Sequence, residues 1–167
     1  QAFMPKIPDG SGGALNETSY YELNGQVCAD FVAGNSVEED FRKNISGGIY
    51  SAYSSESCPG WRTIEGKKNL HTGIDFSTPS GTPLYNPSNN NMTVEYAGYD
   101  NSGYGNLVVL KQEVNGVSHY LYFAHLNSID VSVGDTLRGG QVFAKTGNTG
   151  WSSGPHLHFE LRIGSRS

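Results

Sequence analysis

Two apolar segments that flank the dipeptide Asn115-Gly116 restrict the fold of this chain more than any other part of the sequence. The first runs from Asn106 to Lys111 and is rich in Val and Leu, and the second runs from Val117 to His125 and contains Val, Leu, Phe and two Tyr residues. Asn-Gly is a preferred dipeptide of the two-residue type I′ turn that joins antiparallel strands. The sequence therefore predicts a β-hairpin at this position.

Further segments also have the pattern of strands, because apolar residues alternate with polar ones or continue without interruption. They are residues 49–53, 93–97, 141–145 and 157–162. The composition, with 22 glycines, 10 tyrosines and only 16% charged residues, favours a β protein with many tight turns over a helical one. We therefore expect a mainly β domain built on an antiparallel sheet.

The first 48 residues have a different character from the rest of the chain. Ser36-Val37-Glu38-Glu39 has the spacing of a helix capping box, and Gly47-Gly48 would end a short helix at about residues 37–45. We accordingly divide the chain into an N-terminal linker and short helical extension at 1–48, a β domain at 49–163, and a tail at 164–167. That tail, Gly-Ser-Arg-Ser, is expected to be vector-derived.

Charge and hydropathy exclude two classes of partner. A net charge of −5 argues against a nucleic-acid partner, because binding to phosphates needs a basic surface. No apolar run approaches the roughly 20 residues that cross a bilayer, so no membrane span is expected. The two cysteines, Cys28 and Cys58, are either a disulfide, which would indicate an oxidising compartment, or two separate buried thiols.

Three of the five histidines lie in two short patterns with the spacing of metal ligands. His71 precedes Asp75 by four residues, and one residue separates His156 from His158. In a strand, residues i and i+2 point to the same face, so the second pair can project into one pocket. Nitrogen and oxygen donors without a thiolate favour Zn²⁺, and three of them leave an open position for catalysis.

The two remaining histidines belong to the second strand of the predicted hairpin. Strict alternation gives His125 the same face as His119 and Phe123. We expect His119 to be structural and His125, at the end of the strand, to belong to the active site. A hydrolytic zinc site needs a base and an oxyanion donor, and histidine can serve as either. The residues alone leave open which of His125, His156 and His158 do not bind the metal.

Three motifs occur in a fixed order along residues 46–163. They are His71-x-x-x-Asp75, Tyr122-Phe123-Ala124-His125-Leu126 and Gly147-x-x-Gly150-x-x-x-Gly154-Pro155-His156-Leu157-His158-Phe159-Glu160. With these motifs the chain resembles the lysostaphin and LytM family of zinc metallopeptidases. The resemblance implies that His71, Asp75 and His158 bind zinc and that His125 and His156 are catalytic. One of the two would deprotonate the attacking water and the other would stabilise the tetrahedral intermediate, in an order that the resemblance leaves open.

Members of that family cut peptides in bacterial peptidoglycan. The resemblance therefore implies a secreted, bacteriolytic zinc endopeptidase that acts on cross-bridge or stem peptides outside the cell or in its envelope, with a monomer as the expected state. The alternative is a catalytically silent module of the same fold that binds the cell wall or activates another hydrolase. Such relatives typically lose ligands, whereas all five expected site residues are present here.

The family's substrate groove has an antiparallel sheet as its floor and four loops as its walls. By resemblance, these loops are expected at about 52–70, at 86–92 or 98–105, at 126–132 and at 147–155. Candidates for the wall side chains are Tyr99, Tyr104, Asn148 and Trp151.

Overall fold

The computed structural model describes residues 55–57, 60–64, 67–71, 73–76, 78–86, 90–114 and 116–164. Every regular element in these residues is a β-strand, and none of them forms a helix long and apolar enough to cross a membrane. The mainly β fold predicted from the sequence is therefore confirmed. The predicted helix at 37–45, the predicted strand at 49–53, Cys28 and Cys58 lie outside the described residues.

Eleven strands occur in the described part of the chain. In order they are β1 (Ser55–Ser57), β2 (Gly60–Ile64), β3 (Lys67–His71), β4 (Ile74–Phe76), β5 (Pro83–Tyr85), β6 (Met92–Asp100), β7 (Gly105–Val114), β8 (Val117–Ile129), β9 (Thr136–Leu137), β10 (Val142–Thr146) and β11 (Leu157–Ile163). The strands predicted at 93–97, 106–111, 117–125, 141–145 and 157–162 correspond to β6, β7, β8, β10 and β11. The patterns do not predict β1 to β5 or β9, each of which is five residues long or shorter.

Strands β7 and β8 form the predicted hairpin. They pair antiparallel, with Val114 opposite Val117 across a two-residue turn. Gly116 in that turn has a φ of 79°, a left-handed conformation that glycine adopts without steric cost. The strand β8 then continues to Ile129, so the first part of the loop expected at 126–132 belongs to the sheet.

The expected loop at 52–70 is also largely strand. β2 and β3 pair antiparallel as a separate two-stranded sheet, with Ile64 opposite Lys67. The connection between them is again two residues long, which is the usual length for a tight hairpin. It carries Glu65-Gly66 rather than Asn-Gly or Asp-Gly, and so the strongest sequence signal for such a turn is absent.

The other nine described strands form one sheet. β1, β4, β11, β8, β7, β6 and β9 lie side by side in that order, and β10 pairs with both β5 and β8. The antiparallel pairing of β4 with β11 places residues 74–76 beside residues 157–159. Asp75 of the first motif and His158 of the last, which are far apart in the sequence, therefore meet on neighbouring strands.

Apolar side chains pack on both faces of this sheet. One face carries the main core, in which the ring centroid of Phe123 is 5.2 Å from that of Phe143 and 5.4 Å from that of Phe159. The other face carries a smaller buried cluster, which consists of Leu107, Val109, Tyr122 and Ala124. Residues that pair across antiparallel strands share a face. His158 and Glu160 pair with Ala124 and Tyr122, so they belong to the second face.

A bulge in β8 changes the direction of one predicted site residue. Between Phe123 and Leu126, β8 contains two residues where its partner β7 contains one. His125 is the second of these two, and its φ of 60° is the only positive value among the described non-glycine residues. The expectation that His125 shares a face with Phe123 is therefore wrong, because the bulge turns its side chain towards His158 on the opposite face.

Candidate metal centre and active site

Asp75 and His158 lie opposite one another on the neighbouring strands β4 and β11. The Nδ1 atom of His158 is 3.0 Å from Oδ1 of Asp75, and only 7% and 6% of the two residues' surfaces are exposed. A buried imidazole nitrogen and a carboxylate oxygen that face each other are suitable zinc ligands. The chemistry of this pair therefore fits the metal that the sequence predicts.

The third predicted ligand, His71, is the last residue of β3, and the structure describes its backbone alone. Among the side chains that are described, no three His, Cys, Asp or Glu residues form a group that could hold a metal ion. Asp75 and His158, two of the three expected ligands, thus lie side by side, and the metal-binding role of all three residues stays a prediction.

His125 lies beside both histidines of the His-x-His motif. Its ring centroid is 4.7 Å from that of His156 and 5.8 Å from that of His158. Its Nδ1 is 2.8 Å from the carbonyl oxygen of Thr149, which can only accept a hydrogen bond, so Nδ1 carries the proton and Nε2 is the basic nitrogen. Burial, followed by the charge of His158, lowers the pKa of His125 to about 4, so the ring is neutral at pH 7.

Contacts from two loops hold the bulge at His125. Its backbone N–H donates to the carbonyl oxygen of Tyr104 at 2.8 Å, and its own carbonyl accepts from the N–H of Thr149 at 3.4 Å. The hydroxyl of Thr149 also donates to the carbonyl oxygen of Leu126 at 2.6 Å. These bonds offset the cost of a left-handed non-glycine residue, which is about 1–3 kcal/mol.

Gly105 and Gly150 allow these two loops to touch. A Cβ on Gly105 would lie 2.5 Å from the backbone nitrogen of Gly150, and the two residues have φ values of 66° and 75°. Neither the distance nor the backbone conformation suits a larger residue. The glycine-rich motif before His156 therefore has a structural role in fixing the position of Thr149, which in turn orients His125.

His156 is the second histidine, after His158, whose ring lies near the carboxylate of Asp75. Its Nδ1 is 2.8 Å from the carbonyl oxygen of Gly154 and 3.1 Å from the hydroxyl oxygen of Ser152, so Nδ1 carries the proton. Its Nε2 is 3.6 Å from Oδ1 of Asp75. The rings of His125 and His156 therefore share one arrangement, in which Nδ1 is held by a backbone carbonyl and Nε2 is the basic nitrogen.

Four of the five residues with predicted site roles thus have side chains that lie together on one face of the sheet. Residues 69–167 match the model of Peptidase family M23. The chain belongs to this family. The resemblance to lysostaphin-type peptidases seen in the sequence is therefore confirmed.

Solved structures of similar proteins agree with the fold. The catalytic domain of lysostaphin from Staphylococcus simulans is 34% identical, with a TM-score of 0.61 over 70% of this chain and 85% of that one. A zinc containing peptidase from Vibrio cholerae is 33% identical, with a TM-score of 0.60 over 79% of this chain and 39% of that one.

Among curated relatives, the peptidoglycan DD-endopeptidase ShyB of Vibrio cholerae is 33% identical over 139 residues, which are 80% of this chain and 30% of ShyB. The chain therefore spans less than a third of the length of such relatives.

Glu160 contacts this group of side chains through His158, although the sequence motifs gave it no role. Its Oε1 lies 2.8 Å from Nε2 of His158, and the residue is only 1% exposed. Burial alone would lower the pKa of His158, but the hydrogen bonds to Asp75 and Glu160 outweigh it and raise that pKa to about 9. Because His158 and Glu160 are two residues apart in a strand, alternation is the signal that could have identified Glu160.

The candidates for the groove wall fall into two groups. Tyr99 and Trp151 are 59% and 67% exposed, and Asn148 is exposed as well. Tyr104 differs from the other three, because its phenolic O–H donates to Oε1 of Glu160 at 2.8 Å. Its hydroxyl is therefore part of the site's internal hydrogen bonding.

Gly73, between His71 and Asp75, packs directly against His158 and its neighbours on β11. A Cβ at this position would lie 2.6 Å from both Nε2 of His158 and the carbonyl oxygen of Phe159. The backbone oxygen of Phe159 cannot move aside as a flexible side chain can, so the new methyl group has no room on that side. Gly73→Ala should therefore push the imidazole of His158 out of its position. We expect zinc to bind at least about tenfold more weakly, as measured by titration against a competing chelator, and the fold to lose about 1–3 kcal/mol in urea denaturation.

Gly98→Ala is the matched control for this substitution. A Cβ on Gly98 would come no closer than 3.4 Å to the side chain of Tyr96, an ordinary contact. This variant should bind zinc like the unaltered chain. A folded Gly73→Ala variant with unchanged zinc affinity would contradict the proposed packing constraint.

Proposed function

We propose that the chain is a zinc-dependent endopeptidase that hydrolyses peptide bonds in bacterial peptidoglycan, with residues 49–163 as its peptidase domain. The observation that carries this proposal is the convergence of Asp75, His125, His156 and His158 on one face of the sheet of an M23 family member. The relative ShyB is a peptidoglycan DD-endopeptidase, which supports the substrate class.

In this proposal His71, Asp75 and His158 hold the zinc ion. Nδ1 of His158 and Oδ1 of Asp75 are the donor atoms that face each other, and the related peptidase from Vibrio cholerae contains zinc. When bound, zinc acts as a Lewis acid towards the carbonyl of the scissile peptide and towards water. Nδ1 of His158 must lose its proton before it can serve as a ligand.

His125 and His156 carry out the proton transfers. Each has its Nδ1–H held by a backbone carbonyl, which leaves Nε2 as the atom that can accept or donate a proton. One of them accepts a proton from the attacking water at Nε2. The other acts as the imidazolium ion, in which Nε2 also carries a proton; it donates a hydrogen bond to the developing oxyanion and then gives that proton to the leaving amine, so the proton taken from water balances the proton given to the amine. The fixed ring orientation means that no reorganisation is needed when the charge develops.

The presence of every proposed group favours the active enzyme over the silent wall-binding alternative. A module that only bound the cell wall would need neither the strained backbone of His125 nor the carbonyl bonds that fix the tautomers of the two free histidines. All the residues with proposed roles come from one chain, so a monomer suffices for activity. Because peptidoglycan lies outside the cytoplasmic membrane, we further propose that the enzyme acts in the cell envelope or outside the cell.

Mass spectrometry of muropeptides tests the proposal and identifies the bond. Purified peptidoglycans with different cross-bridges are incubated with the chain, with and without a zinc chelator. We expect defined peptide fragments that carry new amino termini, their loss on chelation, and their recovery on addition of zinc but not of magnesium. Release that resists chelation would contradict the zinc mechanism. No release from any peptidoglycan by zinc-loaded protein would favour the silent module.

A further inference from the structure

The carboxylate of Glu160 lies at the centre of a buried hydrogen-bond network on the side of His158 that faces away from Asp75. Its Oε1 is 2.8 Å from Nε2 of His158 and 2.8 Å from the hydroxyl of Tyr104. Its Oε2 accepts hydrogen bonds from Nη2 and Nε of Arg162, at 2.9 Å and 3.2 Å. Both carboxylate oxygens therefore accept hydrogen bonds within the network, and neither faces the position where Asp75 and His158 meet.

The direction of every hydrogen bond to Glu160 in this network is fixed, because each partner group acts as a donor. Arg162 can only donate, and its Nη2 also donates to the hydroxyl oxygen of Tyr104 at 3.0 Å. A phenol is protonated at neutral pH, and the carboxylate of Glu160 can only accept, so the O–H of Tyr104 donates to Oε1 of Glu160. With Arg162 and Tyr104 fixed as donors, Glu160 is left as the acceptor for Nε2–H of His158.

Arg162 allows this carboxylate to stay charged inside the protein. A buried charge is retained only when it is paired and hydrogen-bonded. The guanidinium group of Arg162 supplies the opposite charge, and its central carbon lies 4.4 Å from the ring centroid of Tyr122. The pairing and the stacking hold Glu160 in a single position beside the imidazole.

We propose that Glu160 is a positioning residue that selects the tautomer of His158. By accepting Nε2–H, it leaves Nδ1, the nitrogen that faces Asp75, as the atom available to the metal. Histidines that bind metals generally donate their other ring N–H to such a partner. This proposal rests on the proposed function, because it assumes that His158 is a zinc ligand.

Tyr104 connects this network to the other half of the site. Its hydroxyl donates to Glu160, and its backbone carbonyl accepts the N–H of His125. The same residue thus contacts the group that positions His158 and the bulge that positions His125. The turn that carries Tyr104 sets the position of both imidazoles.

Glu160→Gln tests the proposal through metal affinity. The amide group would present a donor either to Arg162, which only donates, or to Nε2 of His158, which would then favour the wrong tautomer. Titration of zinc against a chromophoric chelator should show binding about 10–100-fold weaker than in the unaltered chain. Glu113→Gln is the matched control, because Glu113 is exposed and contacts Ser118 and Lys111 on the hairpin, away from the site. It should leave zinc affinity unchanged.

Nitrogen NMR of the imidazoles tests the tautomer without any substitution. In the zinc-loaded, ¹⁵N-labelled chain we expect His158 to carry its proton on Nε2, and in Glu160→Gln we expect this single tautomer to be lost. A residue with a purely structural role would lower the melting temperature without changing the tautomer. A proton on Nδ1 of His158 in the zinc-loaded, unaltered chain would overturn the proposal.

The variant His158→Ala distinguishes a failure of the positioning role of Glu160 from a failure of the proposed zinc-ligand role of His158. If His158→Ala binds zinc as tightly as the unaltered chain, the ligand assignment fails and the role of Glu160 fails with it. If His158→Ala loses zinc while Glu160→Gln binds it with unchanged affinity and tautomer, only the positioning role is overturned. Loss of zinc by the first variant and weakened binding by the second support both.

Discussion

Replacing His158 with alanine is expected to remove the bound zinc and all measurable hydrolysis. The substitution deletes the nitrogen that faces Oδ1 of Asp75, so one carboxylate and the proposed ligand His71 are all that is left to hold the metal. Two ligands are too few for a stable zinc site, which takes three from the protein even when a fourth position is open. The zinc content should fall from stoichiometric to near zero, as measured by elemental mass spectrometry after gel filtration.

The fold should survive this substitution. Glu160 keeps its ion pair with Arg162 and its hydrogen bond from Tyr104, so no buried carboxylate on that side loses all its partners. Asp75→Asn is a second variant that preserves the shape of the site and should lose zinc as well. Stoichiometric zinc in folded His158→Ala would overturn the ligand assignment.

The five longest strands of the large sheet, β6, β7, β8, β10 and β11, could be predicted from the sequence because their signals are local. The pattern on each side of Asn115-Gly116 gives the hairpin β7–β8, and the turn length gives its register. The His-x-His spacing likewise indicates that two imidazoles share one pocket. Such predictions need only the alternation of a strand and the chemistry of a turn.

Local patterns could not show which side chains meet at the site, because these residues are distant in the sequence; the family resemblance alone brought Asp75 and His158 together, and nothing predicted the contact between Tyr104 and Glu160. Asp75 and His158 are 83 residues apart, and Tyr104 is 56 residues from Glu160. A strand pattern does not say which other strand lies beside it. The pairing of β4 with β11 is a property of the whole sheet, and only the structure reveals it.

The conformation of His125 is the clearest case in which the local pattern misleads. Alternation assigns it to the main core, and no glycine or asparagine marks the bulge. The positive φ is maintained by bonds from Tyr104 and Thr149, which come from two other segments of the chain. The tertiary contacts therefore override the preference of the residue itself.

Replacing His125 with alanine is expected to leave zinc bound and to lower kcat by about 10²–10⁴-fold, the usual contribution of a general acid or base. His125 reaches the site through Nε2, while its Nδ1–H is held by Thr149. The substitution removes that imidazole but keeps the backbone bonds of the bulge to Tyr104 and Thr149. The rate of muropeptide release at saturating peptidoglycan gives kcat, and the zinc content of the same sample shows whether the metal is still bound.

Two further variants separate the imidazole's chemistry from the backbone that carries it. His125→Gly also lacks the imidazole but adopts a φ of 60° without strain, so it should be as inactive as His125→Ala and more stable in urea denaturation. His119→Gln, on the same strand, should keep both zinc and turnover, because His119 Nδ1 bonds to the carbonyl of Val117, away from the site. If His125→Ala is folded but free of zinc, His125 is a ligand, and the roles of metal ligand and catalytic base must be exchanged among the histidines.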